Sequence, residues 1–186
     1  MAKKVSRIIS LSILALALIA VLVALRAPSA PLVPVSEQDV KSFDEKIAAL
    51  AQAHQQGTLQ TTHITEAELT SKLQQGLDES PPNGGTVVLK AASVHLQGDE
   101  FVGVFTLDAS GKALYLTMAG TLGVVEGRLQ IQPSAAKLGS LPIPAPAFQR
   151  ILARQFDSPE TRERLRLPEF IKDVRIENGE LLVESQ

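Results

Sequence analysis

His54, His63 and His95 are the only imidazoles in this 186-residue chain, and there is no cysteine. Zinc-binding sequences space their ligands a few residues apart, with thiolate or carboxylate support. The three histidines lie 9 and 32 positions apart and read as surface residues, with His54 near a helix end where the dipole favours an imidazolium. Ser134-Ala135-Ala136-Lys137 spells the S-x-x-K string of penicillin-recognising enzymes. Ser134 follows Pro133 at an expected strand end, where no helix sets Lys137 one turn away, and no S-D-N or K-T-G partner exists. There is also no G-x-S-x-G, no glycine-rich phosphate loop and no carboxylate pair set apart by environment. The absence of cysteine excludes disulfides, thiol catalysis and thiolate metal sites together. The expectation is a protein that is not an enzyme, with no cofactor and no metal.

The basic concentration Arg150, Arg154, Arg162, Arg164 and Arg166 allows two readings. It is a solvated face balanced by Asp157, Glu160 and Glu163, or Arg150 and Arg154, an i, i+4 pair, contact anionic lipid headgroups.

These groups are set in an unevenly charged chain. The net charge is −2, but Lys3, Lys4, Arg7 and Arg26 flank an apolar N-terminal run, and the remaining residues hold fourteen basic against twenty acidic groups, a balance of −6. That sign, with 4% aromatics and no Trp, argues against nucleic acid as a partner. From Ile8 through Leu14 and Leu18 to Leu25 run 18 residues without charge, Pro or Gly. As a helix they reach about 27 Å, close to the thickness of a bilayer core. Secretory signals have shorter cores, of about 7–15 residues, and the small residues Ala27 and Ala30 are each followed by proline. Residues 1–26 are therefore expected to be a cytoplasmic tail and an uncleaved single-pass anchor. The positive-inside rule places the N-terminus in the cytoplasm and the rest in the periplasm or at the cell surface. Residues 27–35, with three prolines, read as an extended linker.

Residues 36–186 read as one α+β domain. Ser36 is an N-cap, and Val40, Phe43, Ile47 and Leu50 recur at helical spacing until Gly57. That helix suits either packing on the domain or a stalk. Thr65 and Glu68 form a capping-box pattern, with Leu69, Leu73 and Leu77 as the expected apolar stripe, broken after DESPPNGG. Strands are expected over Val87–Leu96, Phe101–Leu107, Ala113–Val125 and Arg128–Gln132, ending near Pro133, as an antiparallel meander. Gly103, Gly120 and Gly123 lie inside those strands and signal bulges, bends or close backbone approach. Leu141 to Pro146 reads as a rigid bridge, followed from about Ala147 by a third helix carrying Phe148, Ile151, Leu152 and Phe156. Val174 and Ile176, then Asn178-Gly179, then Leu181 and Val183 make a hairpin with a type I′ turn.

Phe101, Gly103, Phe105 and Leu107 share one strand face and Val102 and Val104 the other, so both faces need a cover. Both are core, or one is core and the other holds a ligand.

The order of an apolar anchor, ITEAEL (Ile64–Leu69), a meander, GRLQIQPSAAKLGSLPIP (Gly127–Pro144), a helix and LPEFIKDVRIENGELLV (Leu167–Val183) resembles the YpmS-like and LmeA-like families of bacterial envelope proteins. These look related to the tubular lipid-binding superfamily. The resemblance implies a strongly curved antiparallel sheet wrapped around one or two helices, an apolar groove and a lipid-binding role. Residues to line such a groove are Phe101, Phe105, Leu114, Leu116, Met118 and Leu122, with Val124, Phe148 and Leu152 beside them. The expected partners are the membrane and a phospholipid or polyprenyl lipid. The alternative is a non-enzymatic assembly subunit docking on another envelope protein.

Overall fold

The structure is a computed structural model that describes residues 32–79, 87–148, 150, 163 and 165–186. The anchor residues Ile8, Leu14, Leu18 and Leu25 lie outside the described residues. Among the described residues no helix is long and apolar enough to cross a membrane.

The first helix, α1 (Glu37–Gln55), begins where the Ser36 hydroxyl accepts the Asp39 amide, and the chain leaves it through Gly57 at positive φ. It packs on the domain: Leu50 is fully buried, and Phe43 and Ile47 lie against the same core. Strand β1 (Thr61–Ile64) follows, then α2 (Glu66–Asp78), whose N-terminus is closed by the reciprocal Thr65–Glu68 capping box. Beyond it come β2 (Val87–Gln97), β3 (Glu100–Ala109), β4 (Lys112–Val125), β5 (Arg128–Leu138) and the two-residue β6 (Leu141–Pro142). Residues 145–148 and 150 are helical. The chain closes with β7 (Ile171–Glu177) and β8 (Glu180–Ser185), joined by Asn178 and Gly179, both at positive φ as a type I′ turn requires.

The fold is α+β and antiparallel, as expected, but the single strongly curved sheet is not what forms. Among the described residues two sheets form, neither strongly curled: a three-stranded one in the order β1-β8-β7 and a five-stranded meander β2-β3-β4-β5-β6. The closing hairpin recruits β1 across the chain, and both borders of the meander are already occupied. Polar side chains of α2 line one of them. Along the other run β6 and residues 165–167, where the Leu129 amide donates to the Leu165 carbonyl.

One face of each sheet meets the other in a shared core. Val94, Leu96, Phe101 and Met118 from the larger sheet join Val174, Ile176, Leu181 and Val183 from the smaller, with Ile64 and Leu50 beside them. The turns at the ends of the two sheets are tied by a 3.0 Å bond from the Gly179 amide to the Gly98 carbonyl.

Other sequence expectations are corrected. Strand β5 does not end near Pro133 but continues to Leu138. Pro133 shares its parity with Leu129, whose amide points away from β4, so its missing N–H falls on the open side of the strand. Leu141–Pro142 is a short strand rather than part of a bridge, while the expected third helix is present at residues 145–148 and 150, with Ile151, Leu152 and Phe156 outside the described residues. Of the expected stripe on α2, Leu69 packs against the core, but the fully buried residues are Glu68, Thr70 and Ser71, and Leu73 is 40% exposed.

Candidate functional site

The candidate groove residues lie on strands whose register decides what they share. Phe101 pairs with Gly120, Gly103 with Met118, Phe105 with Leu116 and Leu107 with Leu114. Directly paired residues project to the same side, so Phe101, Phe105, Leu114, Leu116 and Met118 form one apolar face. Leu122 and Val124 extend it opposite Ile131 and Leu129 of β5. Leu89 and Leu96 of β2 join the face through Leu107 and Phe101.

Burial changes along that face. At the end covered by the small sheet, Phe101 is 5% and Met118 8% exposed, and Phe148 is buried in the same cluster. These three belong to the closed core. Phe105, Leu122 and Val124 are partly buried against it. Farther along β3 and β4, Leu107, Leu114 and Leu116 are only half-buried, and Leu89 is exposed. Leu152 lies outside the described residues. Phe148 also borders a cleft of about 180 Å³ with Pro142, Ile143 and Ala136.

Two glycines explain how the strands hold this shape. A Cβ at Gly120 would lie 2.4 Å from the Gln132 carbonyl oxygen, at the β4–β5 bulge. At Gly103 the Phe105 ring occupies the space a side chain would need.

The opposite face of the large sheet is also covered in part. Ser93 pairs with Val104 there, and both are buried. The Val33 amide donates to the Ser93 hydroxyl at 3.0 Å, and the Ser36 amide to the Ser71 hydroxyl at 3.1 Å. The last residues of the proline-rich stretch are thus bonded to the domain.

Titratable groups are engaged structurally. Glu68 is buried, and burial alone would raise its pKa, but the Lys46 ammonium at 2.7 Å, the Ser42 hydroxyl and the Thr65 amide outweigh that and pull it down to about 2. Lys46 also donates to the His63 carbonyl, so this carboxylate ties α1, α2 and β1 together. A proton donor or acceptor near neutrality needs the opposite shift. On the outer face of the small sheet, Arg175 bridges Asp173 and Glu184, both at 2.7 Å, which raise its pKa.

The histidines stay apart. His54 Nδ1 contacts the Gln186 carbonyl at 2.6 Å and His63 Nδ1 the Glu180 carboxylate at 2.8 Å. His95 is not a surface residue: its ring is largely buried, 3.5 Å from Glu66. Among the described residues no group of His, Asp and Glu is arranged to hold a metal ion. Ser134 and Lys137 lie on β5, an extended strand, not on a helix. Arg150 is exposed and donates to the Pro146 carbonyl, whereas Arg154 lies outside the described residues.

Sequence reasoning missed the polar residues that dock α2. Glu66, Thr70 and Gln74, at i, i+4 and i+8, bond to the backbone of Leu96, Val94 and Ala92. That polar stripe at helical spacing was the available signal. Comparison with protein-family models, curated proteins and solved structures finds no match for this chain.

Proposed function

We propose that this chain is a membrane-tethered, extracytoplasmic module that binds a long apolar chain, such as the acyl chain of a phospholipid or a polyprenyl lipid. The observation that supports this is the change of burial along one sheet face. Phe101 and Met118 are closed into the core, while Leu107, Leu114 and Leu116 on the same face are half-buried and Leu89 is exposed. An acyl chain laid on those leucines would continue the core outward. Each CH₂ so buried contributes about 0.8 kcal/mol, with no cofactor needed. The apolar run from Ile8 to Leu25 would keep the domain beside a reservoir of such ligands. The resemblance of the ITEAEL, Gly127–Pro144 and Leu167–Val183 stretches to YpmS-like and LmeA-like envelope proteins implies the same class of ligand.

A second reading, docking on another envelope protein, would use the same contiguous leucine face, where Leu89 is exposed and Leu107, Leu114 and Leu116 are half-buried. Native mass spectrometry with lipid extraction separates the two. Residues 32–186, purified without detergent from a bacterial envelope, should carry stoichiometric phospholipid or polyprenyl lipid. A clean apo mass, unchanged after incubation with lipid vesicles, overturns lipid binding and favours the protein partner.

A further inference from the structure

Where the chain enters the domain determines which side of the domain a tether holds close. The entry lies on the outer face of the large sheet, at its β2 border. There the Val33 amide is bonded to Ser93 and the Ser36 amide to Ser71, both serines at most 2% exposed. Val33 lies eight positions after Leu25, the end of the apolar run. At about 3.1 Å per residue for a proline-rich segment, the link reaches about 25 Å. A compact domain of this size is roughly 40 Å across. The link is therefore too short to turn the far side of the domain to a membrane at its other end.

The charges agree with that posture. Ser93 and Val104 are buried, and beyond them the outer face of the large sheet carries half-buried hydroxyl side chains, Thr106, Thr117 and Thr121, with Tyr115, the one tyrosine of the chain. A tyrosine suits the headgroup level of a bilayer. Arg128 and Lys137 stand along the β5 border, while the acids of that face, Glu100 and Asp108, lie at the two ends of β3. The side chain of Asp108 is turned to the Gly111 amide. On the other side of the shared core, the small sheet presents Asp173, Glu177, Glu180 and Glu184 outward, against Arg175. An anionic bilayer repels the second surface and tolerates the first.

We infer that the outer face of the five-stranded sheet is the surface this protein holds against an anionic bilayer, fixed there by the Val33–Ser93 and Ser36–Ser71 bonds. This rests on the tethered reading of the N-terminal run but not on ligand binding.

The absence of cysteine makes a direct test possible. The full chain is placed in vesicles of phosphatidylglycerol and phosphatidylcholine after introducing either Gln132→Cys, exposed on the outer face of the large sheet, or Glu177→Cys, exposed on that of the small sheet. Each is labelled with an environment-sensitive fluorophore, and quenching by headgroup spin-labelled lipid is measured. Several-fold stronger quenching at position 132 than at 177 supports the posture. Equal quenching, or stronger quenching at 177, in chains that co-float with the vesicles overturns it and leaves the tether standing. Failure to co-float overturns both. Disulfide formation between two copies of the unlabelled Gln132→Cys chain on addition of an oxidant, with no quenching of the labelled one, replaces the bilayer by a second copy. Ser93→Ala with Ser71→Ala should narrow the difference between the two sites, and the two labels on the unaltered strap still decide between the outcomes if that variant unfolds.

Discussion

The Thr70 hydroxyl takes the place of a neighbouring strand for Val94, accepting from its amide at 3.0 Å and donating to its carbonyl at 3.3 Å. The pattern repeats along the edge. Glu66 accepts the Leu96 amide at 2.6 Å, and Gln74 accepts the Ala92 amide and donates to the Lys90 carbonyl, each at 3.3 Å. Four helical residues rise about 6 Å and two strand residues about 6.6 Å, so an i, i+4, i+8 stripe can follow alternate residues of an edge strand. An edge that would otherwise invite another chain is thereby closed.

Thr70→Val keeps the shape of the side chain but leaves the Val94 amide and carbonyl buried without partners. A cost of about 2–3 kcal/mol is expected, together with faster exchange of the Val94 amide. Thr70→Ser, which keeps the hydroxyl, should recover most of both. Urea melts with residue-resolved hydrogen exchange check this. Equal stability of the Val and Ser variants would show that these bonds do not hold the helix to the edge.

Gly120 and Gly123 lie on the same strand and differ in what a methyl group would meet. At Gly120 it would run into the Gln132 carbonyl oxygen and the Pro133 Cα, both backbone atoms, whereas at Gly123 nothing lies within 4 Å. Gly120→Ala should cost about 2–3 kcal/mol. Gly123→Ala should be neutral or stabilise by about 0.5 kcal/mol, because it restricts the unfolded chain. Thermal denaturation of the two variants side by side decides.

What could be read from the sequence was local. Ser36, the Thr65–Glu68 box and Asn178-Gly179 set their caps and turn within four residues, and each forms as expected. The shared face of Phe101, Phe105, Leu116 and Met118 follows from alternation and short turns. What failed depended on distant partners. The four residues of β1 are mostly polar and become a strand by pairing with β8, more than a hundred positions away. The leucine stripe of α2 holds only in part: Leu69 packs against the core, but Leu73 is exposed, because much of the surface that receives this helix is an open strand edge, which binds polar groups. The division into two sheets follows from the same long-range pairing.

Acid should expose the role of Glu68. Its carboxyl titrates near 4.5 when unperturbed and is held at about 2 in the fold. A depressed carboxyl contributes stability that is complete above the unfolded value and is lost as pH falls through the folded one. The loss therefore belongs between about pH 4.5 and pH 2, and it amounts to as much as about 3 kcal/mol. Glu68→Gln should be less stable than the parent at pH 7, and the two should converge as pH approaches 2. Urea denaturation of both proteins at several pH values provides the comparison. A constant difference across the range would mean that the Lys46–Glu68 pair does not carry the effect.

Ligand binding and folding can be separated on the large sheet, because its apolar face is closed at one end and half-open at the other. Leu114 lies at the half-open end opposite Leu107, outside the buried core, whereas Val174 is 5% exposed within it. Leu114→Glu puts a carboxylate where an acyl chain would lie. It should remove most co-purifying lipid while costing about 1 kcal/mol or less, as partly exposed substitutions generally do. Val174→Ala should do the reverse, lowering stability by about 1–2.5 kcal/mol through lost packing and leaving the lipid stoichiometry unchanged. Native mass spectrometry and thermal melts on the two variants read both quantities. If Leu114→Glu keeps its lipid, the leucines beyond Met118 are not the binding surface. If both variants lose lipid in proportion to stability, occupancy reports only how much protein is folded, and the half-open end has no separate function.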